Sequence, residues 1–404
     1  MKFENRFSNF TFWGFQPQIP TKNFVFLERK IMKQTTVMLT GDIMCQPGLT
    51  ELCTSPDGTR DYTKTIGALR EAFSAPDLLI GNLETPIAGE AFSFTHERYC
   101  FNSPDEFAEM LKDDGFDLVC LANNHCMDRG EAGIDATLDT LDRIGLPHTG
   151  IYRNASERVP TVLTANGIRV GIVNYTYGTN AFAHHTFLSE KNSPRVNLFQ
   201  PEETLPGSVH LLESMEDIAE KTEALYERQN PLYETEIAPR LARLKQDIAD
   251  TKAVSDFVIV VMHSGGQYNP LPDAYTRKVA ENLRKMGADC IVGHHPHVIH
   301  PSVFEYRVFC AYSLGTFYCT PSSAHEPLPA SYSALLTLTL EQDENGTRLA
   351  HGDFILAKTM EEQGKAPYVV YASDSGAPEE EQLTYARKFS GKNYETIQKS
   401  YPIF

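Results

Sequence analysis

Residues 117–133 read Asp-Leu-Val-Cys-Leu-Ala-Asn-Asn-His-Cys-Met-Asp-Arg-Gly-Glu-Ala-Gly. Leu118–Ala122 is an apolar run of the length and composition of a buried strand, and it stops on Asn123, Asn124 and His125. Just beyond, Ile134, Leu138, Leu141 and Ile144 recur at helical spacing across Ala132–Ile144, and Gly145 supplies a stop. A buried strand therefore passes into an amphipathic helix through a turn rich in polar, metal-capable side chains. In open α/β sheets that edge, outside the carboxyl ends of the strands, is where ligands bind.

Outward from this stretch the pattern recurs. Thr36–Asp42, Asp77–Glu84, Asp117–His125, Arg169–Tyr175, Asp256–His263, Asp289–His297 and Arg307–Leu314 each read as a buried strand. Helical patterns at Pro104–Asp114 and Tyr275–Met286 run into Gly115 and Gly287. Strands interleaved with helices predict an α/β fold. Residues 201–255 are charged, helical in pattern and free of strand runs, which predicts a helical insertion or an elongated crossover. Ala334–Leu340 and Phe354–Lys358 read as an antiparallel pair joined through Glu344-Asn345-Gly346. The expected organisation is an N-terminal extension over 1–34, a main domain over 35–360 and a C-terminal appendage over 361–404. Met32 precedes the first strand closely enough to suggest a start there.

A net charge of −17 argues against a nucleic-acid partner, since phosphate backbones are gripped by clustered Lys and Arg. No stretch reaches the roughly 18–20 continuous apolar residues of a membrane span. With no signal-peptide h-region recognised either, the cytoplasm is the expected compartment. The eight Cys form no CxxC pair, so neither a zinc ribbon nor a dithiol redox motif is expected. Cys120, Cys290 and Cys310 sit in apolar runs, as buried reduced thiols do.

The unusual polar residues fall together at strand ends: Asp42; Asn82 and Glu84; Asn123, Asn124 and His125; His263; His294, His295 and His297. Carboxylate, imidazole and amide oxygen suit one or two divalent ions of intermediate hardness, manganese, iron or zinc. Each residue also has a plainer reading. Asp42 can cap a turn, and either Asn of the pair can serve only the backbone. Asp128-Arg129-Gly130 reads as structural support for the helix, while His148, His184, His185 and His300 show no partner pattern. Tyr175–Asn180 leaves another strand at the same edge, so it can either line a substrate wall, with His184-His185 just beyond it in reach of the site, or simply pack its tyrosines.

Gly41-Asp42, Gly81-Asn82-Leu83-Glu84, Ala122-Asn123-Asn124-His125-x-x-Asp128, His263-x-Gly265-x-x-Tyr268 and Gly293-x-His295-Pro296-His297 together resemble the bacterial capsule-synthesis CapA family. That family is linked to poly-γ-glutamate biosynthesis and belongs to the calcineurin-like metallophosphoesterases. The resemblance, over roughly residues 35–320, implies a four-layer α/β/β/α sandwich with mixed sheets. It implies Asp42 and His297 on a first metal, Glu84 bridging, and Asn124, His263 and His295 on a second. His125 would be the general acid toward the leaving oxygen or a stabiliser of the transition state, with Asn82, Asn123 and Tyr268 near the substrate. The implied reaction is attack of a metal-held hydroxide on a phosphate ester of a small or polymeric anionic substrate. The alternatives are a non-catalytic accessory that binds an acidic polymer through the same metals, and hydrolysis or transfer at an amide bond. Three positions depart from the pattern: Met44 stands where the wider superfamily has a His, Gln267 replaces a Glu, and Thr316 an Asn.

Overall fold

The computed structural model describes residues 32–46, 48–95, 100–188, 193–202, 237–319 and 331–404. The expected extension over 1–34 therefore lies outside the described residues except for its last three, as does most of the expected insertion.

Among the described residues two mixed sheets face each other. The first contains β1 (Lys33–Ile43), β2 (Leu78–Leu83), β3 (Leu118–Cys120) and β4 (His148–Thr149). The second contains β5 (Thr161–Ala165), β6 (Ile168–Thr176), β7 (Phe257–His263), β8 (Cys290–His294), β9 (Ser302–Glu305) and β10 (Val308–Ala311). The chain then returns to the first sheet with β11 (Thr316–Tyr318), β12 (Tyr332–Asp343), β13 (Gly346–Met360), β14 (Tyr368–Tyr371) and β15 (Tyr401–Pro402). Their order is β14-β13-β12-β1-β2-β3-β4 in the first sheet, with β11 beside β1 and β15 beside β13, and β5-β6-β7-β8-β10-β9 in the second. β1 to β4 run parallel, as do β6, β7, β8 and β10, so their carboxyl ends share an edge within each sheet.

Period-two alternation explains the layers. Val37 and Leu39 of β1 and Ile259 and Val261 of β7 point into one shared core between the sheets. Met38 points the other way, into a core with Phe107, Leu111, Ile134 and Leu138 of helices α1 (Asp105–Asp113) and α2 (Gly130–Ile144). Val258, Val260 and Met262 point into a third core, with Leu244 and Ile248 of α3 (Ala238–Val254) and Val279 and Leu283 of α4 (Ala274–Met286). The result is the expected α/β/β/α sandwich.

One expectation about organisation narrows and another changes. The described part of the charged segment is α3, which connects β6 to β7 and buries Leu244, Ile248 and Thr251 against them, so it is a crossover. The segment 361–404 is not appended: β14 and β15 extend the first sheet. Leu383, Ala386 and Phe389 of α5 (Glu379–Ser390) join the core between the sheets, together with Tyr401. The acidic run Glu379-Glu380-Glu381 is only that helix's exposed first turn, where negative charge suits the N-terminus.

Two glycines bring the site strands together. A Cβ on Gly41 would lie 2.1 Å from the carbonyl oxygen of Gly315, because Asp42 N donates to that oxygen at 3.0 Å and draws β11 onto the end of β1. A Cβ on Gly293 would lie 2.0 Å from the carbonyl oxygen of Tyr312.

Candidate metal centre

Asp42, one residue before the end of β1, is fully buried. Its Oδ1 accepts from Asn82 Nδ2 at 2.8 Å and lies 2.9 Å from His294 Nδ1; its Oδ2 accepts from His295 N at 3.2 Å. Burial alone would raise its pKa, but the hydrogen bonds and positive potential of His294 and His297 hold it well below the usual carboxylate range.

Glu84 follows β2 and is also fully buried, yet neither carboxylate oxygen has a hydrogen-bond partner. Oε1 lies 3.5 Å from His263 Nε2, 3.8 Å from His297 Nε2 and 4.0 Å from His125 Nε2. Burial first, and then repulsion from Asp42, push its carboxyl up to about 8. A buried carboxylate without donors is costly unless a cation compensates it. Glu84 belongs to two groups of donor atoms, each mutually within 4.8 Å: Glu84, His263 and His295, and Asp42, Glu84 and His297. Either group could hold a metal ion.

Burial, with neighbouring imidazoles adding to it, keeps His263 and His295 well below the ordinary histidine range, so they are neutral and able to ligate. The backbone at His295 and His297 is left-handed, with φ of 95° and 59°. Such conformations cost about 1–3 kcal/mol each in a non-Gly residue and gather at functional sites. Asn124 Oδ1 lies 2.7 Å from His263 Nε2, so both face the same space.

The family described as bacterial capsule synthesis protein PGA_cap matches residues 36–321. The chain belongs to this family. It is 26% identical over 248 residues to the PGA biosynthesis protein CapA of Bacillus subtilis (strain 168), covering 61% of this chain and 54% of that one. It is 24% identical over 289 residues to the capsule biosynthesis protein CapA of Bacillus anthracis, covering 70% and 60%. The match thus spans little more than half the length of these relatives. A hypothetical protein from Thermus thermophilus overlays with a TM-score of 0.37 at 14% identity, over 83% of this chain and 99% of that one.

Within this PGA_cap domain, the three residues that depart from the expected motifs sit as follows. Met44 is buried against Phe101 and Cys319. Thr316 Oγ1 donates to the carbonyl of His297 at 3.2 Å and so supports its unusual backbone. Gln267 Oε1 is buried without a hydrogen-bond partner.

His125 lies beside the cluster, its ring stacked on Phe101 at 4.1 Å between centroids and its Nδ1 2.7 Å from Asp128 Oδ2. Asp128 is thus more than helix support, and the His-x-x-Asp spacing was the signal for it. Burial opposes its charge, but His125 and His184 together hold its carboxyl below the usual range. Asn82 faces inward onto Asp42. Asn123 is fully buried, donating to the carbonyl of Leu83 at 2.8 Å and accepting from His125 N at 3.1 Å, so its amide holds the loop together instead of facing a substrate. Tyr268 packs its ring 5.6 Å from that of His297, and Tyr177 packs 4.7 Å from His295.

Two further residues at the site come from the segment that leaves β6 at the same edge, where the sequence marked the place but not their partners. Asn180 Oδ1 accepts from Asn124 Nδ2 at 3.1 Å, which turns the Asn124 carbonyl oxygen toward His263. His184 reaches Asp128, 56 positions away in sequence. The eight cysteines are unpaired, and Cys120, Cys290 and Cys310 are fully buried as expected. No described helix is long and apolar enough to cross a membrane.

Proposed function

We propose that this chain is a metal-dependent phosphoesterase whose centre is shared through Glu84. The observation that carries the reading is Glu84 itself, a wholly buried carboxylate with no hydrogen-bond donor on either oxygen, at the corner common to two ligand groups. Asp42 and His297 would hold one divalent ion; Asn124, His263 and His295 would hold the other. Such ions polarise a phosphoryl oxygen and make water acidic enough to attack at neutral pH.

The chain's own residues do the rest. Asn82 and His294 hold Asp42 in one orientation. Asp128 accepts from Nδ1–H of His125 and supports the ring in its doubly protonated form, in which Nε2–H, on the Glu84 side, can give a proton to a departing oxygen and leave the neutral Nδ1–H tautomer. His125 is not needed to complete either ligand group, which favours chemistry over binding alone. The relatives' names place them in capsule and poly-γ-glutamate biosynthesis, and we assign the substrate here to the anionic esters such a process handles.

The test is metal analysis of protein purified without nickel or chelators, followed by a screen of phosphate esters after loading with manganese, iron or zinc. Bound metal with ester turnover supports the reading. Bound metal without turnover of any ester points to a non-catalytic, metal-containing accessory. Absence of metal under every loading condition overturns it.

A further inference from the structure

The two oxygens of Asp128 face opposite partners. Oδ2 takes His125 Nδ1 at 2.7 Å and the backbone N–H of Phe101 at 2.6 Å. Oδ1 lies 3.3 Å from Nε2 of His184, at the end of the short helix Ala181–His184 that follows β6. The Asp128 carboxylate has no exposed surface, and Oδ1 and His184 Nε2, at ion-pair distance from each other, have no other hydrogen-bond partner in place, although Cys100 also lies beside the imidazole. Burial works against charge on His184, but Asp128 and Cys100 overcome it and push its pKa up to about 10.

The geometry points to His184 as a positioning residue, which holds Asp128 from the far side so that its other oxygen fixes His125 with Nδ1 protonated and Nε2 turned toward Glu84. A buried carboxylate oxygen without a donor rotates toward whatever donor it can find. The Asn180 amide is a competitor for His125, since its Nδ2 is already 3.5 Å from His125 Nδ1. Two donors cannot bond each other, so His125 keeps its 2.7 Å contact only while Asp128 stays in place. His184 closes that arrangement from the short helix after β6. The set His184–Asp128–His125 thus joins the segment that follows β6 of one sheet to the loop after β3 of the other.

This assignment rests on His125 as the proton donor of the proposed reaction. The test compares an alkyl phosphate, whose leaving oxygen needs a proton, with a dinitrophenyl phosphate, whose leaving group does not. In His184→Ala the ratio of alkyl to aryl turnover falls about tenfold, and His184→Gln, whose amide can donate to the same oxygen, recovers most of it. Equal losses on both esters would mean a merely structural role and overturn the assignment. A second readout is independent of turnover: the Nδ1–H signal of His125 in protein labelled with 15N-histidine, assigned with His125→Gln. We expect it in the parent protein and in His184→Gln, and lost to exchange in His184→Ala. If it persists in His184→Ala the assignment fails. If the parent turns over no ester, the functional reading fails while this signal still decides the role of His184.

Discussion

His263 Nε2 lies 2.7 Å from Asn124 Oδ1, and the two residues come from different sheets. His263 ends β7, whereas Asn124 sits in the loop after β3. The contact is between an imidazole nitrogen and an amide oxygen, two atoms that can also converge on one cation. The centre is therefore built where two parallel-strand edges meet, and the sandwich must be assembled before the ligands are neighbours.

The first consequence concerns Glu84. In Glu84→Gln a neutral amide replaces a buried carboxylate without donors. Metal-free protein should become more stable, by about 1–4 kcal/mol on the scale of other buried charges replaced by neutral groups. The same substitution should abolish co-operative loading of two ions. Urea melts with and without added manganese check this. A variant less stable than the parent when metal-free would mean that Glu84 already has a compensating partner.

Asn180 offers a cleaner separation of ligand geometry from folding. Its backbone is left-handed, with φ of 55°, which Asn, Asp and Gly tolerate. Asn180→Gly removes the acceptor that orients Asn124 without straining the backbone, and metal affinity should fall about tenfold to a hundredfold. Asn180→Asp keeps an acceptor and should lose much less. Competition titration against a chromogenic chelator measures both, and equal affinities would remove Asn180 from the site.

The local features explain why so much was legible. Buried strands announce themselves as apolar runs, and their ends carried Asp42, Glu84, Asn124, His263, His295 and His297, which the fold does bring together. What could not be read depends on three-dimensional proximity alone. His184 lies 56 residues from Asp128, and although it follows a loop that leaves the same edge, no spacing pairs the two. The C-terminal segment looked appended because its acidic first turn is the exposed end of α5, while Leu383, Ala386 and Phe389, three apart along the helix, face the core. The main-chain bonds of Asn123 were equally hidden, since an Asn that serves a turn and an Asn that faces a ligand are the same letter.

Gly293 tests how the His segment is carried. Its missing Cβ would sit 2.0 Å from a backbone oxygen, which cannot rotate aside as a side chain can. Gly293→Ala must part β8 from the chain leaving β10, at a cost of at least about 3 kcal/mol. Because His294, His295 and His297 follow directly, metal should be lost together with stability. Chemical denaturation and metal analysis on the same sample check the pair. A stable variant that retains metal would show that the strands can move apart without disturbing the ligands.

The acid side of the stability profile should carry a mark from His300, which is remote from the metal cluster in its contacts. It is almost fully buried, and its Nε2–H donates to the carbonyl of Asn269 at 2.8 Å. Burial pushes its pKa down to about 4, against the partial support of that hydrogen bond. In the unfolded chain the ring takes up a proton near pH 6.5. The folded state resists that proton, so this contribution to stability is complete above about pH 6.5 and is lost as pH falls toward 4. A shift of that size corresponds to about 3 kcal/mol. His300→Gln can keep the amide donor to Asn269 but has no proton to gain, so its stability should fall less steeply than the parent's between pH 6.5 and 4. Other acid-sensitive groups are common to both proteins and cancel in the difference. Parallel urea-midpoint curves for the two proteins across that range would show that His300 accepts its proton without cost in the folded state.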